Sequence, residues 1–490
     1  MQLANLTWHR IALAPAVSFD YQRIRLLAEN SEIVCNDMKT GRTNLWLLWL
    51  IPSLLLISSG CHRYLVATPN LLQHQDPQHV YEACASDCRT TEAAVLYATD
   101  RTKTENRDKT PTYGHGRAST LAFGVASVSL NPLPSWTELI EDSTNAKRSR
   151  QYELKLASVR EDGHFKPLVD PAFVVKAGPR VPKDAAHQPL PEVDPFHVLL
   201  SNRLAQATHK DVYIFIHGFN NSFEDAVFRA AEVWHFMGRV GVPIAYTWPA
   251  GLGGVRGYAY DRESGEFTVS HLRQFIKAVA DCPGVERVHL VAHSRGTDVA
   301  ISALRELNLQ IRAQGRSTQV ELKLENLVLA APDVDEEVFL QRCVGENLLQ
   351  AARRTTIYVS EHDKMIEAAD WLFASGLRLG ALAVKDVSKL IKDGNLNVAN
   401  RNMLSPLALK GVSIKMGHRL AKLPNVQFIE CKVSGRSLTH SYVFTHPAAL
   451  SDLILVLRDR RDPGAKHGRP LRQPAEGIWE LTDDYLAQTK

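Results

Sequence analysis

The sequence predicts an α/β fold: a mostly parallel, doubly wound sheet with helices on both faces and a small N-terminal β extension. Two patterns carry that expectation. Short, unbroken apolar runs recur at residues 212–216, 243–247, 288–292, 324–330, 355–359 and 426–433. A strand covered on both faces needs apolar residues at successive positions, whereas a half-exposed strand alternates. Between the runs lie amphipathic stretches of helical length at 223–240, 270–280, 297–314 and 336–352. Strands alternating with such helices form βαβ units, whose strands are parallel. A last helix, 448–458, starts behind Pro447, a residue suited to the first helical position.

Composition narrows the function classes. The chain has 490 residues, 45% of them hydrophobic and 22% charged, which is ordinary globular usage. The net charge of +4 comes from Lys and Arg spread along the chain, with no basic stripe interleaved with aromatics, so nucleic acid is not an expected partner. No 20- to 50-residue period repeats, which removes solenoids.

Residues 1–61 read as an address. An apolar run at 45–57 follows Lys39 and Arg42 and precedes Ser58-Ser59-Gly60-Cys61. This has the form of a bacterial lipoprotein signal, in which the cysteine behind small residues is alkylated with diacylglycerol and becomes the new N-terminus. Ser58 departs from the usual Leu. Because the run begins far from Met1, Met38 is the better start: residues 1–37 are then untranslated, 38–60 are the signal peptide and Cys61 is lipidated. Pro52, and a run shorter than the roughly 20 residues of a spanning helix, argue against a permanent span. The expected location is the bacterial cell envelope, lipid-anchored and facing the periplasm, at the outer membrane. Cys84 and Cys88 are close enough to pair there or to remain thiols, while Cys282, Cys343 and Cys431 have no metal-ligand spacing and read as buried thiols.

Residues 62–200 are expected to be a tether and N-terminal β extension: polar from 66 to 115 with a strand-like island at 94–98, strands near 120–130 and 152–159, and a Pro-rich linker at 177–196. Residues 201–462 carry the parallel sheet, and 463–490 read as an irregular tail.

The chemistry lies where strands end. Ala292-His293-Ser294-Arg295-Gly296 joins an apolar run to a helix, with small residues two before and two after the serine. A nucleophile elbow requires this, since the turn is too tight for bulk at those positions. His217-Gly218-Phe219-Asn220-Asn221 follows the run at 212–216. A loop there supplies one backbone N–H of an oxyanion hole and the residue after the nucleophile supplies the other, which assigns Phe219 and Arg295. Gly218 lets the backbone turn, and His217 reads as a brace for the loop.

A serine needs a base held by a carboxylate, and in an α/β-hydrolase fold the order along the chain is Ser, Asp or Glu, then His. The acid usually lies two strands beyond the nucleophile, which selects Asp363 over the alternative Asp333. His440, on the loop behind the last parallel strand, stands where the base belongs. Its rivals are His446, better explained as a helix cap beside Pro447, and His418, which precedes that strand.

With these residues in place, the stretch from about 94 to 460 resembles an uncharacterised family of bacterial α/β-hydrolases. The matching segments are Tyr97-Ala98-Thr99-Asp100-Arg101, His217-Gly218-Phe219-Asn220-Asn221, Tyr246-Thr247-Trp248-Pro249, His293-Ser294-Arg295-Gly296, Ala331-Pro332-Asp333-Val334-Asp335 and His440-Ser441-Tyr442. Arg295 stands where the family usually has Met, which brings a charge near the pocket. The resemblance implies the fold and the catalytic positions more than a substrate.

The expectation is a serine hydrolase of the carboxylesterase, lipase or thioesterase kind, acting on a small-molecule or lipid ester. It needs no metal and no cofactor, and no His-Glu-x-x-His motif is present. Two alternatives stand beside it: an amidase or peptidase with the same three residues, and a non-catalytic binding or scaffold protein at the cell envelope. Trp371, Leu372, Phe373, Leu377, Leu379 and Leu382 would line an acyl pocket or lid, or form a core helix.

Overall fold

The computed structural model describes residues 64–105, 111–168, 194–360, 363, 423–434 and 440–487. Its strands, in chain order, are β1 (Ala93–Glu105), β2 (Pro111–Asn131), β3 (Glu153–His164), β4 (Asp211–Ile216), β5 (Val242–Thr247), β6 (Arg287–His293), β7 (Leu324–Ala330), β8 (Arg354–Val359), β9 (Val426–Lys432), β10 (Arg472–Ala475) and β11 (Ile478–Thr482). They form one 11-stranded sheet in the order β10-β11-β9-β8-β7-β6-β4-β5-β1-β2-β3. The six apolar runs are β4 to β9, and each neighbouring pair among them is parallel.

Side-chain alternation assigns the two layers. Val212, Ile214 and Ile216 of β4 enter one apolar core, where Phe196, Leu200 and Leu204 of α2 (Pro195–Gln206), Leu272, Phe275 and Ile276 of α4 (Gly254–Asp281) and Ile301 and Leu304 of α5 (Gly296–Ala313) meet them. Tyr213 and Phe215 enter the other, with Val227, Val233 and Phe236 of α3 (Phe223–Phe236), Leu139 of α1 (Trp136–Thr144) and Leu450 and Leu453 to Leu457 of α6 (Pro447–Leu457). Every residue of β4, β5, β7 and β8 is buried, as doubly covered strands require. From β4 the chain steps outward to β5, then returns to the opposite side of β4 for β6. Loops behind β4 and β6 therefore meet at a topological switch point, the crevice where such sheets bind ligands.

Several expectations are corrected. Residues 66–105 are not a polar tether: Val66, Leu72 and Tyr81 are buried, and β1 pairs parallel with β5. The polarity of this stretch belongs to exposed residues of the turns between 74 and 92 and to the exposed end of β1 from Thr102 to Glu105, while Val95 to Arg101 are buried. The β extension is also larger than expected, because β1, β2 and β3 continue the same sheet as antiparallel neighbours, β2 over 21 residues. Residues 336–352 do not form one helix. They break into a four-residue α turn, a π turn and a 3₁₀ turn, the last entered through Asn347 in the left-handed region. The helix expected at 270–280 begins instead at Gly254.

The expected irregular tail also joins the fold. β11 pairs parallel with β9, and Ile478, Leu481 and Tyr485 are buried. What fixes it is Arg469, fully buried, whose guanidinium donates to both carboxylate oxygens of Asp452 on α6 (2.8 and 2.7 Å) and to Gln427 Oε1 (2.5 Å). The hydroxyls of Tyr358 and Tyr485 donate to the same carboxylate (2.7 Å each). A buried ion pair with its remaining lone pairs satisfied avoids the penalty of an unpaired charge. The leader with Cys61, most of the Pro-rich linker, the apolar residues from Trp371 to Leu382 and His418 lie outside the described residues. Cys84, Cys88, Cys282, Cys343 and Cys431 are free thiols.

Candidate active site

At the end of β6 the backbone of Ser294 turns into the left-handed region, with φ at 53°. A residue with a Cβ adopts that conformation only where its surroundings enforce it, at a cost of about 1–3 kcal/mol. Here the Ser294 N–H donates to the Ala330 carbonyl (3.0 Å), and the Ser294 carbonyl accepts from the backbone N–H of Thr297 (3.0 Å), the Thr297 hydroxyl (2.6 Å) and the N–H of Asp333 (3.3 Å). The small residues have a measurable reason. A Cβ on Gly296 would stand 2.3 Å from the His217 carbonyl oxygen, and one on Gly218 would stand 2.7 Å from Ser294 Cβ. The elbow and the 217–221 loop thus touch, and only glycine at both positions permits it.

His217 is fully buried and braces that loop. Its ring stacks on Trp248 at 5.0 Å with an interplanar angle of 6°. Nδ1–H donates to the Gly218 carbonyl (2.8 Å), while Nε2 accepts from the Trp248 N–H (3.0 Å) and from Arg101 (3.2 Å). Burial, then the Arg101 charge, holds its pKa well below the ordinary histidine value, so the ring is neutral and its tautomer fixed. Arg101, from β1, spends its whole guanidinium here. Nε donates to Thr247 Oγ1 (2.7 Å), one terminal nitrogen to the carbonyls of Ala250 (2.7 Å) and Gly114 (3.1 Å), and the other to His217 Nε2 and the Asn221 carbonyl (2.8 Å). Opposite, Asp261 of α4 accepts from the N–H groups of Asn220 (2.9 Å) and Gly251 (3.4 Å). Phe219, half-buried, lies between these anchors with its ring 5.3 Å from that of Tyr258.

The structure brings Asp363 and His440 together: His440 Nδ1 donates to Asp363 Oδ2 at 2.8 Å, leaving Nε2 with the lone pair. Burial opposes the imidazolium, but the Asp363 carboxylate outweighs it, and the His440 pKa lies above the ordinary value. His440 reaches the elbow through His293, whose Nε2–H donates to the His440 carbonyl (3.1 Å) and whose ring packs 5.0 Å from it. Burial, then the neighbouring His440, pushes the His293 pKa down to about 3, so this ring is neutral. Among the described residues no hydrogen bond joins the Ser294 hydroxyl to His440. Asp333 is also at the site but serves differently, with its N–H on the Ser294 carbonyl and its carboxylate accepting from the Tyr258 hydroxyl (3.2 Å). His446 caps α6, accepting from the Ala448 N–H.

The charge of Arg295 does not stand open beside the nucleophile. Its guanidinium pairs with Asp298 at 2.8 Å, and Asp298 also meets Arg342 at 3.1 Å. Sequence reasoning gave no part to Arg101, His293, Tyr258 or Asp261. For Arg101 a signal existed, since an Asp-Arg pair closing an apolar strand puts charge where a core is expected. Asp261 had none, being one polar residue on a polar helical stretch. Among the described residues no group of His, Cys, Asp and Glu is arranged to hold a metal ion.

A mostly parallel sheet with helices on both faces and a strained serine at a strand-to-helix turn defines an α/β-hydrolase-fold protein. Comparison makes this specific: the chain belongs to the family described as alpha/beta hydrolase of unknown function (DUF900), whose profile matches residues 194–454. No curated protein matches the chain. A crystal structure from Agrobacterium vitis S4, provisionally designated a hydrolase, is 12% identical, covers 56% of this chain and 78% of that one, and superposes with a TM-score of 0.21. A likeness that weak carries no argument about the site.

Proposed function

We propose that the protein is a serine hydrolase acting on carboxylic esters or thioesters. The observation that carries this reading is the hydrogen-bonded Asp363–His440 pair, held through His293 against a left-handed Ser294. In the proposed reaction Ser294 Oγ bonds to the carbonyl carbon and its proton passes to His440 Nε2. Asp363 holds the imidazole tautomer and offsets the imidazolium charge. The backbone N–H groups of Phe219 and Arg295 receive the oxyanion, a contribution typically worth about 10²–10³-fold per donor. The alkoxide or thiolate leaves with the proton from His440, and water repeats the sequence on the acyl-enzyme. The missing hydrogen bond between Ser294 and His440 does not weigh against this, since catalytic hydrogen bonds often tighten only around substrate.

The protein is further proposed to be a lipoprotein of the cell envelope, acylated on Cys61 and facing the periplasm. Two or three acyl chains suffice for stable anchoring, at roughly 0.8 kcal/mol per buried methylene. A fluorophosphonate probe tests the chemistry: wild type should label, and Ser294→Ala and His440→Ala should not. A folded wild type that fails to label turns the reading toward a scaffold, and labelling with turnover of amides but not esters turns it toward an amidase. Incorporation of an alkyne-tagged fatty acid, lost in Cys61→Ala, tests the anchor.

A further inference from the structure

We propose that Arg101 is a positioning residue of the hydrolytic site, so that strand β1, outside the residues 194–454 that the family profile spans, is part of the catalytic unit. For its kinetic readout the inference rests on the serine-hydrolase reading. Three observations carry it. Arg101 is 2% exposed, and all five of its N–H donors are used on neutral acceptors: a hydroxyl, an imidazole and three carbonyls. Four of those acceptors sit on the loop beside the elbow and on the next loop out, His217 and Asn221 behind β4 and Thr247 and Ala250 behind β5, and the fifth, Gly114, is on β2. Phe219 lies between the first two, so its N–H points wherever the Arg101 anchors set the loop.

The third observation is electrostatic. Among the described residues no carboxylate is within ion-pair distance of Arg101, although its neighbour Asp100 is turned away to His271 (2.9 Å). A buried guanidinium left without a contacting anion is costly, and a structural brace would be cheaper as a neutral amide or hydroxyl. Beneath an oxyanion loop the retained positive charge has a use, because it adds to the potential where negative charge develops in the transition state. Burial lowers the Arg101 pKa to about 10, so the charge persists at neutral pH.

The test compares Arg101→Lys and Arg101→Met with wild type by hydrogen–deuterium exchange and by p-nitrophenyl ester turnover. Exchange in segments 217–221 and 247–251 should accelerate about tenfold while the rest of the sheet is unchanged. The turnover number should fall about 100-fold in Arg101→Met with KM within about threefold, and Arg101→Lys, which keeps charge without the fork, should recover part of it. If Arg101→Met does not fold, Arg101→Lys carries both measurements. Unchanged exchange in the two loops, acceleration spread over the whole sheet, or retained turnover in Arg101→Met would each overturn the proposal. A wild type that fails to label with fluorophosphonate defeats the hydrolase reading separately, and the exchange experiment still decides the role of Arg101.

Discussion

Arg469 and Arg101 are both buried arginines from segments outside the parallel core, yet they are set up in opposite ways. Arg469 meets a carboxylate head-on, and although burial opposes its charge, Asp452 outweighs that and holds its pKa above the ordinary arginine value. Arg101 meets only neutral groups, and burial, offset in part by the more distant Asp100 and Asp261, lowers its pKa. Charge cancelled at contact fastens one piece of chain to another. Charge satisfied by hydrogen bonds alone stays available to the space around it, which in the proposed reaction includes the elbow, where negative charge develops.

The same contrast separates Asp363 from Asp452, and the largest expected effect lies there. Asp363→Asn removes the group that fixes the His440 tautomer and should lower the turnover number about 10⁴-fold, with little change in the unfolding midpoint. Steady-state kinetics beside thermal denaturation checks both halves, and a variant that mainly loses stability would break the distinction. Next in size, Arg469→Met strands Asp452 in the core and should cost about 3–5 kcal/mol. Urea titration reads the loss, and turnover per folded molecule should remain that of wild type. If activity falls with stability, the tail has a second role.

How much of this was legible in the sequence follows from what each residue needs. β4 to β9 were readable because a doubly covered strand must be apolar at every position, and the elbow because its sterics demand small residues at fixed offsets. That Asp363 and His440 would come together followed from their places behind strands. Arg469 was not readable, since Asp452 and Gln427 lie 17 and 42 residues away with no local period to announce them; Arg101 showed only as a charge closing an apolar strand, because four of its five acceptors lie more than a hundred residues away. Residues 472–482 hid for a related reason: short edge strands of Arg, Gln, Glu and Trp look irregular until β9 supplies the ladder.

The pH dependence sharpens the comparison further. On the proposed serine-hydrolase reading His440 is a base only when neutral, so kcat/KM should fall as pH drops through its pKa, by about tenfold per pH unit below it. Asp363 holds that pKa above the ordinary histidine value, which places the midpoint of the acid limb above about 6.5. Asp363→Asn should move the midpoint down, since burial is then opposed only by the more distant Asp333 carboxylate. An acid limb that does not move in the variant would assign it to another group.

The smallest effect, and the one that best separates stability from function, is expected at Asp261. Burial raises its pKa to about 6, against the N–H groups of Asn220 and Gly251 and the Arg101 charge, which lower it. A carboxyl whose folded pKa is raised contributes stability below its unfolded pKa and loses it as pH rises through the folded value, here between about 4 and 6. At neutral pH the ionised side chain is therefore a net cost to folding, of about 1–3 kcal/mol. Asp261→Asn keeps an acceptor for the Asn220 N–H and removes the buried charge, so it should raise the unfolding midpoint at pH 7 and have no such effect near pH 4. Because the carboxylate ties the loop of Phe219 to that of Gly251, the same variant should lose a few-fold in turnover. Such a trade of stability for function is expected where a strained or charged group serves a site. If Asp261→Asn is instead destabilised at pH 7 with turnover intact, its carboxylate belongs with Asp452 among the fastenings.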